Sequence, residues 1–211
     1  MYKTGVSEII SKDQSSISST KKLVKKILLL ILLFQPFAFS QDLGKAYFAG
    51  GCFWCMEESF EKKEGVLEVV SGYSGGTTKN PTYKEVTYGN TGHFETIEII
   101  FEKDKTNYED LLNYFWKNID PFDAYGQFCD KGYSYRSVAF YENNEQKYLI
   151  EKSMMNLEKK LNKKIVTYVR KFDKFYKAED KHQNYYEEKF FNYLRYKKAC
   201  GREKTLNKIW N

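Results

Sequence analysis

The sequence is short of several things, and each shortage excludes something. Only 3 prolines and 13 glycines occur in 211 residues, which argues against a linker-rich or fibrous chain. Histidine is scarcer, at 2 residues, and the 4 cysteines contain a single C-x-x-C pair, so no closed zinc pattern can be spelled. No apolar run reaches the roughly 18 residues of a membrane-spanning helix. Basic charge is also less abundant than it first looks. Six lysines and two acids fall within the first forty residues, so the net charge of +6 drops to +2 for the remainder. A nucleic-acid footprint loses most of its support. What the chain does have is 42% hydrophobic and 18% aromatic residues, enough to bury a real core.

The first forty residues read apart from the rest. A polar, Ser-rich stretch over residues 1–20 precedes KKLVKK, a short apolar run ILLLILLFQPFAF, and the small-x-small pattern Ala38-Phe39-Ser40. Basic cluster, apolar run and cleavage pattern in that order predict a secretory signal peptide over residues 1–40. The mature chain is expected over residues 41–211, starting near Gln41 and exported. An uncleaved anchor is the alternative.

Beyond the leader, strands are predicted over residues 45–49, 66–73, 93–102, 136–141 and 165–170. Helices are predicted over 52–63, 108–118, 145–161 and 179–196. Ser74 to Gly92 and Asp120 to Ser134 read as long loops, which in a compact domain are usually functional, and the tail from Lys197 reads as irregular. Strand, helix, strand, strand, helix, strand is the split βαβ order, so the expected fold is α+β, a ferredoxin-like two-layer core with additional C-terminal elements.

The chemistry concentrates at AGGCFWC. Gly50-Gly51 followed by Cys52 places a thiol at a helix mouth, where unpaired N–H groups and the positive dipole end favour thiolate. Phe53 and Trp54, at the first helical positions, are placed to wall a small apolar pocket beside the sulfur. Three reactions compete for such a thiol. Cys52 and Cys55, about 5 Å apart by helical spacing, suit thiol–disulfide exchange, although Phe-Trp is unusual between such cysteines. A Cys–His acyl transfer needs His93 or His182 as base. Reduction of a sulfoxide needs an apolar cage for a methyl and a proton donor for oxygen. Tyr83, Glu95, Asp130 and Tyr135, all on loops or loop edges, supply candidate donors.

On these pieces the sequence resembles the peptide methionine sulfoxide reductases of the class specific for the S epimer. They are GGCFW (50–54), GVLEVVSGYSGG (65–76), NPTYKEV (80–86), TGHFE (91–95) and IDPFDAYGQFCDKGYSYRS (119–137), then KAEDKHQNYY (177–186) and ACGREKTLNKIW (199–210). The resemblance implies that Cys52 attacks the sulfoxide sulfur, releases methionine and is left as sulfenic acid. It makes Glu95 the proton donor, with Tyr83 and Tyr135 hydrogen-bonding the same oxygen and Asp130 supporting the site. Phe53 and Trp54 would hold the S-methyl. Lys181 and Ser134 depart from the family's aromatic and glutamine at those positions. A second cysteine would recycle the sulfenic acid, with Cys200 in the tail as first candidate, Cys55 second and Cys129 third. No cofactor or metal is implied. The implied partners are oxidised proteins or peptides and a thioredoxin-like reductant, with no nucleic acid, no stable membrane insertion of the mature chain, and a monomeric state.

Overall fold

In the first strand, β1 (Leu43–Ala49), Ala46 and Phe48 face one side and Tyr47 and Ala49 the other, and all four are buried. Both faces of the sheet are therefore covered at its centre. The computed structural model of the protein describes residues 42–211, and the leader expected over residues 1–40 lies outside the described residues.

After β1 come helix α1 (Phe53–Glu61), β2 (Val66–Ser74), α2 (Tyr83–Tyr88), β3 (Phe94–Glu102) and α3 (Tyr108–Lys117). A short ribbon, β4 (Gly126–Gln127) and β5 (Asp130–Lys131), leads to β6 (Val138–Tyr141), α4 (Asn144–Leu161), β7 (Tyr168–Lys171) and β8 (Phe175–Lys177). Three helices close the chain: α5 (Tyr185–Glu188), α6 (Phe190–Cys200) and α7 (Arg202–Trp210). The main sheet runs β7-β6-β1-β3-β2-β8. Its inner four strands pair antiparallel with one another, in the order expected of a ferredoxin-like split βαβ core. β7 adds in parallel beside β6, and β8 antiparallel beside β2.

One face of the sheet packs on α1 and α3. Phe48 stacks on Phe115 with ring centroids 4.7 Å apart, and Trp116 Nε1 donates to Ser153 Oγ at 3.0 Å, tying α3 to α4. On the other face Tyr47 stacks on Phe172 at 3.7 Å, beside Phe140 and Phe175. No helix among the described residues is long and apolar enough to cross a membrane.

Four expectations are corrected. Within the loop after β2, α2 is nucleated by a capping box: Glu85 N–H donates to Thr82 Oγ1 at 3.3 Å, and Glu85 Oε2 accepts from Thr82 N–H at 2.8 Å. The loop over 120–134 contains the β4–β5 ribbon. The helix expected over 179–196 is divided, because Asn184 adopts φ 49° and forces a break between the turn at Asp180–His182 and α5. The tail is helical rather than irregular: Gly201, at φ 68°, ends α6 in a left-handed cap and opens α7.

Removing the Phe115 ring takes away the centre of the larger core. Phe115→Ala is expected to cost about 3–5 kcal/mol, against under about 0.5 for Met155→Ala on the exposed face of α4. Urea unfolding of the two variants, with slope m held as a check on the unfolded state, measures the difference.

Candidate active site

The turn between β1 and α1 explains where the thiol points. Gly51 has φ 81°, and a Cβ there would lie 2.5 Å from Gln127 Cβ, so only glycine lets the ribbon close over this turn. The next residue, Cys52, is the N-cap of α1. Glu95, one residue into β3 and paired across to Tyr73, reaches the same helix end. Its Oε2 accepts the Phe53 N–H at 3.0 Å, so a carboxyl from the sheet caps the helix that carries the thiol.

Above this junction lies a small cavity of about 80 Å³. Cys52, Phe53, Trp54, Tyr83, Glu95, Asp130 and Tyr135 all line it, so every sequence-predicted catalytic and substrate-holding residue meets at one place. Wider surface grooves, of about 760 Å³ between β1, α3 and α4 and about 740 Å³ beside Gly75 and Arg170, contain no thiol. Volume alone does not mark the site. Tyr196 of α6 is the eighth lining residue and was not anticipated. Its signal was present: Tyr193, Tyr196 and Cys200 recur at helical spacing on one stripe of α6.

Burial sets the protonation of the cavity. Glu95 is 2% exposed, and its carboxyl is pushed up to about 8 by desolvation, the Phe53 N–H only partly opposing this. It is therefore a carboxylic acid at neutral pH. Its Oε1 has no hydrogen-bond partner among the described residues. Tyr135 bears on the same carboxyl, and its hydroxyl lies 3.5 Å from that of Tyr83. Burial and the nearby Glu95 hold both tyrosines well above the usual phenol range, so both keep their protons.

Cys52 and Cys55 are free thiols, 5% and 3% exposed, and hydrogen-bonded to one another. Burial pushes the Cys52 thiol up, and the bond from Cys52, with Arg202 and Tyr193 behind it, brings Cys55 down to about 7. The two titrate as a pair. The helix mouth does less for Cys52 than its position suggests. The Phe53 N–H goes to Glu95, and those of Cys55 and Met56 go back to the Cys52 carbonyl.

Cys200 was the first candidate for recycling, ahead of Cys55. It is bonded to Cys129 at the tip of the β4–β5 ribbon, so its sulfur is committed, and Cys55 is the free thiol beside Cys52. Neither histidine serves the thiol as a base. His93 Nδ1 accepts from Gly76 N–H at 3.1 Å while Nε2 donates to the Thr78 carbonyl at 2.8 Å. Neither ring nitrogen of His182 has a hydrogen-bond partner among the described residues. Its ring instead braces the aromatic wall, 4.4 Å from Tyr83 and 5.7 Å from Trp54, and Tyr185 stacks on Trp54 at 3.9 Å. The acyl-transfer reading fails on this geometry.

What remains is a neutral acid, two phenols, a thiol and an apolar wall around a hole the size of a few heavy atoms. Comparison with known proteins agrees with that inventory. The family model "Peptide methionine sulfoxide reductase" matches residues 44–211. The chain is 48% identical over 172 residues to peptide methionine sulfoxide reductase MsrA of Listeria monocytogenes, covering 81% of this chain and 97% of that protein. It is 47% identical over 167 residues to the MsrA of Bacillus velezensis, covering 78% and 94%. Among solved structures, methionine sulfoxide reductase A of Corynebacterium diphtheriae superposes with a TM-score of 0.63 at 27% identity, covering 73% of this chain and 81% of that one. Reduced Mxr1 from Saccharomyces cerevisiae superposes at 0.66 and 25% identity, covering 74% and 88%. The chain thus belongs to the peptide methionine sulfoxide reductase family, as an oxidoreductase of the A class that acts on the S-sulfoxide.

Proposed function

We propose that this chain reduces peptide-bound methionine-S-sulfoxide with Cys52 as the attacking thiolate, Glu95 as the proton donor and Cys55 as the resolving thiol. The observation that carries the roles is the convergence of Cys52 and a protonated, half-unpaired Glu95 on one small cavity. The substrate's S-methyl lies against Phe53 and Trp54, and its oxygen takes the place facing Glu95 Oε1, Tyr83 and Tyr135. As Cys52 attacks the substrate sulfur, Glu95 gives its proton to the sulfoxide oxygen; the resulting hydroxyl then passes from that sulfur to the Cys52 sulfur as the transient S–S bond breaks, so methionine leaves and Cys52 is left as sulfenic acid. Cys55, one turn along α1, then attacks the sulfenic sulfur, expelling water and forming a Cys52–Cys55 disulfide. A thioredoxin-like dithiol restores both thiols. The cavity is complete within a single chain, which supports action as a monomer.

The same reading extends to location. The sequence pattern of residues 1–40 supports export through a cleaved signal peptide, and the Cys129–Cys200 disulfide supports an oxidising compartment. The reductant is then an extracytoplasmic dithiol rather than the cytosolic pool. Fractionation of native cells is expected to find a chain beginning near Gln41 outside the cytosol; full-length chain in the cytosolic fraction refutes export.

Because Glu95 must be protonated to act, the chemical step should fall as pH rises through about 8. Single-turnover rates of the wild type show that limb, and Glu95→Gln loses it while slowing the step by about 10²–10⁴-fold. The stability consequence has the same direction. Between the ordinary value of 4.5 and about 8 the folded chain keeps a proton that the unfolded chain has lost, so unfolding free energy from this group declines with rising pH.

Cys52→Ser should abolish methionine formation. Cys55→Ser should release one methionine per enzyme and stop, with Cys52 trapped as a dimedone-reactive sulfenic acid. Mass mapping of Cys200→Ser after substrate addition should still show a Cys52–Cys55 disulfide; its absence would return the resolving role to Cys200.

A further inference from the structure

A thiol that is 5% exposed loses its proton only if something takes it. No histidine reaches Cys52, and the first N–H of α1 is committed to Glu95. The cavity wall offers the proton a way out. Tyr196 touches both ends of a route there: its hydroxyl donates to Asp130 Oδ2, and its side chain packs against the buried Cys52 and Cys55 and lines the same cavity as Cys52.

We propose that Cys52 is activated by a relay in which Asp130 is the base and Tyr196 the proton carrier, held in register by the Cys129–Cys200 disulfide. The Cys52 S–H bond breaks as its proton passes to the Tyr196 oxygen, while the phenol's own proton moves to Asp130 Oδ2. Tyrosine is regenerated, thiolate and carboxylic acid are the products, and no electron is transferred. Tyr196 sits edge-on to Trp54 and lines the cavity, so it also touches the space the sulfoxide occupies. Burial supports both partners. It raises the Asp130 carboxyl, against the pull of Arg202 and Lys131, which makes it the better base, and keeps Tyr196 neutral.

The disulfide brackets this pair. Cys129 directly precedes Asp130 on the ribbon, and Cys200 follows Tyr196 by one turn at the end of α6. Breaking the bond frees the ribbon from the helix at the point where their side chains meet. The redox state of this surface pair then sets how easily the buried thiol ionises.

Other groups face the two sulfurs. From β3 comes Glu95, neutral below about 8, and from α7 comes Arg202, which favours the thiolate on the Cys55 side. Tyr83 of α2 and Tyr135 after β5 stay protonated, and Tyr193 of α6 bonds Glu58. Cys55 itself lies against Cys52 and is lowered to about 7; Tyr196 is the group that joins Cys52 to a carboxylate.

The relay rests on Cys52 being the attacking thiol, but its test follows a proton and needs no turnover. In protein with Cys52 and Cys55 reduced and the surface disulfide intact, iodoacetamide labelling of Cys52 is followed by peptide mass spectrometry across pH. Tyr196→Phe, which loses one oxygen and keeps the ring, should move the labelling midpoint up by about one unit, about tenfold slower labelling on the rising limb. KM for a methionine sulfoxide peptide should stay within about twofold. Asp130→Asn should shift the midpoint likewise, and the double variant no further, because the two act as a unit. Cys129→Ser/Cys200→Ser should give a smaller shift in the same direction, and none once Tyr196 is Phe. A Tyr196→Phe midpoint equal to wild type overturns the relay, as does a raised KM without a shift, or shifts that add. Loss of turnover in Cys52→Ser without any of these changes leaves the reductase reading standing and the relay refuted.

Discussion

One hydrogen bond organises this molecule: the Phe53 N–H to the Glu95 carboxyl. It caps a helix that lacks a side-chain cap of its own, and it fixes the acid at the place where the thiol emerges. Since only one oxygen is used, the other is left facing the cavity with its proton. Burial that would be an unrelieved cost elsewhere here serves to keep the group neutral. Structure and chemistry are thus drawn from the same few atoms, and neither the helix end nor the acid can be altered without disturbing the other.

The C-terminal third completes what the sheet begins. Glu179 accepts from the Tyr73 hydroxyl at 2.8 Å and from the Tyr83 N–H at 3.0 Å, placing one of the two phenols over the cavity. Gln183 exchanges two bonds with the Ser71 backbone, mimicking another strand. Glu57 of α1, buried and raised by desolvation to about 7, receives the Asn184 N–H and the Ser71 hydroxyl. Glu58, one residue on, takes the Tyr193 hydroxyl and Lys197. Long-range polar bonds of this kind hold short helices that would be marginal alone.

Much of this was legible in the chain. Alternating apolar residues in β1 and β3, and the helical rhythm of α3 and α4, gave the split βαβ order because core burial imposes those periods. The cavity residues were legible through motifs. What was missed depends on contacts distant in sequence. The Cys129–Cys200 bond cannot be chosen from four cysteines without coordinates. The helical tail is held by packing Arg202 against the Asn118 carbonyl and the Phe128 ring, both distant in sequence. Tyr196 looked like one more tyrosine among 18. The α2 capping box was a local signal passed over amid glycine and proline.

The cavity of about 80 Å³ has a final consequence. A water molecule's share of liquid is about 30 Å³, so the hole matches a methyl sulfoxide tip rather than a stretch of backbone. An oxidised methionine must therefore stand clear of its own protein by nearly the whole side chain before it can enter. Residues damaged in loops, frayed ends or unfolded clients qualify, while a sulfoxide wedged inside an intact fold waits until that fold opens. Reach and the client's own flexibility thus bear on which sulfoxides can enter.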